Sequence, residues 1–188
     1  MNFYRTVASL LCLICLSISL LPAARAEPTV SVSQGARLII PKGILHVTDR
    51  AAPPLRLSDM DGKPFDLSQE KGRWVFVHFW ASWCGPCRRE IPAIQRMVEK
   101  FDSAAFALAI VNTAESDDTV FTFLGMLAPD LVPLLDRDGT VTETWKPRGL
   151  PSTYLVDPQG VIRFQALGGR PWDEAEYIDF LSTLTAGR

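Results

Sequence analysis

The stretch HFWASWCGPCRREIP, residues 78–92, decides how this chain folds. It begins in the apolar and aromatic run RWVFVHFW (73–80), whose near-continuous hydrophobicity suits a strand buried on both faces. It leads into CGPCRREIPAIQRMVEKF, where Ile91, Ile94, Val98 and Phe101 recur at helical spacing. Cys84 and Cys87 therefore stand where a strand gives way to a helix. A pair at this spacing could be a structural staple, half of a metal clamp, or a redox catalyst.

Physical chemistry weighs these readings unequally. Closing so short a loop removes little entropy from the unfolded chain, so a staple here would stabilise little. A zinc site normally takes four ligands. Apart from Cys12 and Cys15 in the apolar run near the start, the chain offers one CxxC and only two histidines, His46 and His78, and a copper carrier meets the same shortage, so no metal is expected. Redox chemistry uses the details better. A helix start presents unpaired N–H groups and the positive end of the helix dipole, and both favour a thiolate. On this reading Cys84 attacks and Cys87, one turn in, resolves the mixed disulfide. Gly85 lets a substrate approach the sulfur closely, and Pro86 stiffens the first turn without costing a helix hydrogen bond.

Outward from this stretch, MNFYRTVASLLCLICLSISLLPAARA (1–26) has one early positive charge, an apolar run from Val7 to Leu21, and Ala24 and Ala26 in A-x-A spacing. It reads as a secretory signal peptide cut after Ala26, with an uncleaved anchor as the alternative. Cys12 and Cys15 would leave with it, so Cys84 and Cys87 would remain in a compartment that tolerates disulfides. The chain is therefore expected to be exported. The remainder, about 160 residues, suits one globular domain. Loss of Arg5 and Arg25 takes the formal charge from -2 to -4, with no basic cluster to attract nucleic acid.

Residues 27–50 carry weak signals and read as an extension with one or two short strands or an extended arm. APPLRLSDMDGKPFDLS (52–68) reads as a small hairpin turning at Asp61-Gly62. AFALAIVN (105–112) is a second buried strand, and Ser116 caps a helix running to about Leu127. LVPLLD, a turn and a helical segment follow. STYLVD and VIRFQAL then form an antiparallel pair around Gly160, and a closing helix spans Asp173 to Thr185 with Tyr177, Ile178, Leu181 and Leu184 inward. The fold class is α/β, with a mixed central sheet flanked by helices. DRDG (136–139) lacks the rest of a calcium-loop ligand series and reads as a turn. A peroxiredoxin would need a proline and a Thr or Ser spaced before its cysteine, which FWASWC does not provide. No glycine-rich nucleotide fingerprint occurs, so no cofactor is expected.

FWASWCGPC followed by Pro92, with GLPST (149–153) downstream, resembles the thioredoxin-fold oxidoreductases. The resemblance implies a cis bond at Pro151, placed opposite the cysteines, with neighbours that offer backbone groups to an extended substrate. A simple strand-start proline is the other reading. Cys84 and Pro151 stand farther apart than in thioredoxin itself, and the surplus fits a helix–strand insertion within 116–136. That insertion, the leader, and the PPLRLSDMDGKPFDLSQEKGRWV stretch resemble the periplasmic TlpA/ResA-like group, which includes cytochrome c maturation reductases. The resemblance covers a thioredoxin domain over 51–188 and is silent on 27–50.

The group's pattern implies further roles. Thioredoxin has a buried aspartate where this chain has His78. That histidine is either a core residue satisfied by a backbone carbonyl, or a group that tunes the cysteines or relays a proton. Glu90 lies three residues after Cys87, where ResA-like members carry a glutamate implicated in handling the thiol proton. An exposed helix-favouring glutamate is the alternative. Trp83 is a docking ring beside the sulfur or a packed wall. Together these readings give the expectation of a periplasmic monomer that reduces disulfides in exported client proteins, such as apocytochrome c or a copper-site assembly factor, with a membrane thiol carrier as electron donor because the sequence shows no reductase domain or cofactor motif. A thioredoxin-like metallochaperone or binding module without turnover is the rival.

Overall fold

The computed structural model describes residues 38–186. The leader expected over 1–26 lies outside them, as does the first part of the expected extension. In chain order the elements are β1 (Ile44–Ala51), β2 (Arg56–Ser58), β3 (Pro64–Asp66), β4 (Trp74–Trp80), α1 (Gly85–Val98), β5 (Phe106–Thr113), α2 (Asp117–Leu127), β6 (Pro133–Asp136), α3 (Thr140–Trp145), β7 (Ser152–Val156), β8 (Val161–Leu167) and α4 (Ala175–Ala186). Among the described residues no helix is long and apolar enough to cross a membrane.

Six strands form one mixed sheet in the order β1-β8-β7-β4-β5-β6. β4, β5 and β6 run parallel, and β7 pairs antiparallel with both β4 and β8. β4 is central, and its strict alternation explains its sequence. Phe76 and Trp80 join the apolar cluster that holds Cys84, Cys87, Ile91 and Ile94. Val75, Val77 and Phe79 join the opposite cluster with Trp145 and Tyr154. A strand covered on both faces calls for apolar side chains along its length, which is the pattern of residues 74–80 with His78 as the one exception. β8 runs in the same direction as β4, so the ends of β4, β5 and β8 and the start of β7 meet at one edge of the sheet. All the expected chemistry gathers at that edge.

The hairpin expected over 52–68 is β2–β3, with its turn closed by Asp59 accepting from the N–H groups of Asp61 and Lys63 at 3.0 and 2.8 Å. The turn expected at DRDG is held by Asp136, which accepts from the N–H groups of Val141 and Thr142 and so starts α3. In α4 the buried residues are Tyr177, Phe180 and Leu181, while Ile178 and Leu184 are only partly covered.

The expected boundary between residues 50 and 51 falls inside a strand. β1 pairs antiparallel with β8 from Ile44↔Ala166 to Ala51↔Val161, so this part of the extension belongs to the sheet. The residues just before β1 also reach the functional edge. The guanidinium of Arg170 donates to the carbonyls of Gly43, Leu167 and Gly169 at 3.2, 2.8 and 2.7 Å, and the Tyr177 hydroxyl donates to the Lys42 carbonyl at 3.0 Å. Gly43 has φ 82°, and a Cβ there would lie 2.3 to 2.5 Å from the guanidinium atoms. Gly43→Ala therefore forces both a left-handed alanine and loss of the arginine's bonds. We expect it to lower stability by about 1–3 kcal/mol in urea denaturation, against no change for a glycine serving only as a flexible link.

Candidate active site

Cys84 and Cys87 are joined by a disulfide, with Cα atoms 5.3 Å apart. Cys84 is the N-cap of α1, in extended conformation, and its sulfur accepts the N–H of Cys87 at 3.3 Å. That is the geometry expected of an attacking thiolate: a helix start supplies an N–H donor and the positive end of the dipole. Cys84 keeps 5% of its surface exposed and Cys87 none, so solvent reaches only the first of the two. Trp83, at 71% exposure, is not packed into the wall of the site. Gly85 and Pro86 are exposed beside it.

The loop that carries Trp83 is tied from below. Glu115, two residues past β5, accepts from the Ser82 N–H at 2.7 Å and from the Ser82 hydroxyl, and also takes the Asn112 amide at 2.7 Å. Leu150-Pro151 is the cis peptide expected from GLPST. Register places it correctly: Phe79 pairs with Ser152, so Pro151 lies beside the end of β4 from which the cysteine loop departs. Its own carbonyl accepts the Gly168 N–H at 2.9 Å.

Glu90 departs most from a surface reading. It is 3% exposed, although it sits in the charged run RRE. Its Oε1 accepts the Arg170 N–H at 3.1 Å and the indole N–H of Trp172. Burial pushes its carboxyl up from 4.5 to about 8, against the downward pull of the Trp172 and Arg170 donors. His78 is fully buried on the same side of β4 as Phe76 and Trp80. Its Nδ1 lies 2.9 Å from the Thr153 hydroxyl, so a side chain and not a backbone carbonyl satisfies it. Burial pushes its imidazole down from 6.5 to about 3. The two side chains meet at 3.8 Å between His78 Nε2 and Glu90 Oε2, yet both are uncharged at neutral pH, so they form no ion pair there. Among the described residues no group of three or more His, Cys, Asp and Glu side chains could hold a metal ion.

Sequence reasoning missed the groups that cover Glu90. Trp172 is fully buried, packs edge-on against Phe76 at 4.8 Å, and needs an acceptor for its N–H. Gly169 lies so close that a Cβ on it would stand 3.5 Å from the Pro86 carbonyl and 3.7 Å from Glu90 Oε2. One signal was available for Glu90. Cys87, Glu90, Ile91, Ile94 and Met97 form the buried stripe of α1, so helical spacing alone puts a glutamate on the apolar face.

The comparisons with known proteins agree with this geometry. The AhpC/TSA family pattern matches residues 48–165, more than half of the chain. Thiol-disulfide oxidoreductase ResA of Bacillus subtilis (strain 168) is 34% identical over 59% of this chain, a match that spans 62% of that protein and so just under two thirds of its length. A solved structure from Chlorobium tepidum, provisionally assigned as thiol:disulfide interchange protein DsbE, superposes with a TM-score of 0.66 at 27% identity, covering 75% of this chain and 99% of that one. The thioredoxin domain of a thiol-disulfide oxidoreductase from Bacteroides vulgatus gives 0.64 at 25%, covering 74% and 98%. Fold and site together define a thioredoxin-fold thiol–disulfide oxidoreductase of the ResA and DsbE type. The chain belongs to the AhpC/TSA family.

The buried pair has a consequence for stability in the disulfide form, where the thiols do not titrate. Between about 4.5 and 8 the folded protein keeps the Glu90 proton that the unfolded chain releases, so stability falls as pH rises through that window. Between about 6.5 and 3 the unfolded chain takes a proton that buried His78 refuses, so stability falls as pH drops. The two slopes oppose each other between about 4.5 and 6.5 and cancel. From 6.5 to 8 the Glu90 contribution should cost about 2 kcal/mol. Urea denaturation against pH should show this alkaline decline in the native chain and its loss in Glu90→Gln. An identical decline in both would mean that Glu90 does not hold the proton.

Proposed function

We propose that the protein is a periplasmic disulfide reductase that acts as a monomer on exported client proteins, with apocytochrome c and copper-site assembly factors as candidate clients. The observation that carries the proposal is Cys84 at the N-cap of α1, with its sulfur accepting a backbone N–H and Trp83, Gly85 and Pro86 exposed around it. The leader-like residues 1–26 support export. The Cys84 thiolate attacks one sulfur of a client disulfide, forms a mixed disulfide and expels the other client sulfur as a thiolate. Cys87 then loses its proton and attacks the Cys84 sulfur. This closes the Cys84–Cys87 disulfide and releases the second client thiol. Glu90 lies one helical turn beyond Cys87, and its raised carboxyl, protonated in the disulfide form, supports a role in which it takes that proton as the disulfide closes and returns it when the pair is reduced again. A membrane thiol carrier would supply the electrons.

The labour divides unequally between the sulfurs. Cys84→Ser should abolish catalysed insulin reduction, whereas Cys87→Ser should accumulate long-lived mixed disulfides. Faster labelling of Cys87 than of Cys84 by iodoacetamide at neutral pH would reverse the assignment.

The direction of electron flow follows from how far the Cys84 thiolate is stabilised. Reference potentials run from about -270 mV for thioredoxin to about -120 mV for the oxidant DsbA, and the more stabilised thiolate gives the stronger oxidant. Here Gly85 and Pro86 offer no side-chain donor to the sulfur. Arg88 lies over the Phe123 ring at 5.3 Å, Arg89 donates to the Gly85 carbonyl at 3.2 Å, and both are exposed to screening salt. We expect a midpoint below roughly -200 mV in glutathione redox buffers. A value near that of DsbA would make the protein an oxidant.

A further inference from the structure

A carboxyl that holds and releases a proton in a dry interior meets opposite demands at the same atoms. The acid must donate, the carboxylate must accept, and an unmet demand is costly in either state. Glu90 Oε1 is served in both states by the Arg170 N–H and the Trp172 indole. Those donors leave the proton to Oε2. That atom has no hydrogen-bond partner, and it faces His78 Nε2, which has none either. The two side chains are 1% and 0% exposed, and their separation of 3.8 Å is about 1 Å beyond a hydrogen bond. The terminal torsion of a glutamate is broad and soft, so a small rotation closes that gap. On the far side of the ring, the Thr153 hydroxyl lies 2.9 Å from Nδ1 and can either accept or donate.

We propose that Glu90, His78 and Thr153 form an amphoteric hydrogen-bond chain in which the His78 imidazole changes tautomer whenever Glu90 changes protonation state. With Glu90 as the acid, Oε2–H donates to Nε2 and Nδ1–H donates to the Thr153 oxygen. With Glu90 as the carboxylate, Nε2–H donates to Oε2 and the Thr153 hydroxyl turns to donate to Nδ1. One proton leaves the chain between the two states. The ring carries a single proton in both and stays neutral, as its burial requires. His78 is thus a positioning residue that keeps both forms of Glu90 satisfied next to Cys87. A carboxylate at residue 78 would instead set a like charge against Oε2.

The other titratable and charged groups about Glu90 are Cys87, Arg89 and Arg96 on α1, Arg170 and Asp173 in the loop after β8, and Tyr177 on α4. Of these, the Arg170 charge draws the Glu90 carboxyl down and Cys87 is held in the disulfide, whereas the tautomer of His78 answers to Oε2. Glu90 also lines a cleft with Pro86, Gly169 and Arg170, which gives its proton a way out. The inference rests on the proton role proposed for Glu90 only for its use in turnover, since the tautomer change belongs to the resting disulfide form.

The test is two-bond 1H–15N spectroscopy of the oxidised protein labelled in its histidines, with exposed His46 as internal reference. The expected result is the Nδ1–H tautomer of His78 below the Glu90 midpoint near 8 and the Nε2–H tautomer above it. The ratio should change at least tenfold over about two pH units, and the switch should vanish in Glu90→Gln. The same tautomer on both sides of the midpoint, or an imidazolium in place of either, overturns the proposal. His78→Phe keeps a ring but removes both nitrogens. Followed by carbon NMR of labelled glutamate, it should raise the Glu90 midpoint by about one unit or more, a tenfold change, because the carboxylate loses its donor. An unchanged midpoint in the folded variant also overturns it. Either failure would leave the roles of Cys84 and Cys87 untouched, because those are read from alkylation and insulin reduction.

Discussion

The burial of the Glu90 carboxyl is the constraint on which the functional edge of this protein depends. A carboxylate cannot be left unpaired in an apolar interior, so it either finds donors or keeps its proton. Here the structure does both. The Trp172 indole and the Arg170 N–H hold one oxygen, and desolvation keeps the proton on the group at neutral pH. Those donors belong to the loop after β8. That loop is anchored in turn: Arg170 grips the carbonyls of Gly43 and Leu167, and Tyr177 grips that of Lys42. Edge strand β1, the loop and α4 thus converge on one side chain of the redox helix.

The two sulfurs live in different electrostatic surroundings although one turn of helix separates them. Cys84 has a backbone donor and the helix dipole, which favour its thiolate. Cys87 is wholly buried in the apolar cluster with Phe76, Ile91 and Trp172, where a thiolate is disfavoured. On the proposed division of labour the second thiol must lose its proton before it attacks, and a base near Cys87 would speed that step. Glu90 is the ionisable carboxyl on the same buried stripe.

Much of this was legible in the sequence where the signal is local. β4, α1 and β5 follow from hydrophobic periodicity, the β2–β3 hairpin from Asp61-Gly62, and Cys84, Cys87 and the cis bond at Pro151 from their motifs. The long-range contacts were not. β1 is an edge strand with His46 and Leu45 facing solvent, so its sequence lacks the apolar run of a central strand. Its partner β8 lies far along the chain, and pairing across such a distance leaves no mark on either segment. RRE looked like a solvated run because Trp172, the residue that buries Glu90, stands 82 positions downstream. His78 was ambiguous for the same reason, since Thr153 and Glu90 meet it only after folding. The helical stripe through Cys87, Ile91 and Ile94 was the one local hint that Glu90 points inward.

The central claim is that Glu90 is a protonated acid in the folded protein at neutral pH. Infrared spectroscopy of the oxidised protein, with the Glu90→Gln spectrum subtracted, observes the carboxyl stretch of that one group directly. The account predicts an acid carbonyl band at pH 7 that converts to carboxylate with a midpoint near 8. A carboxylate band already complete at neutral pH, with a midpoint near the ordinary 4.5, would contradict it.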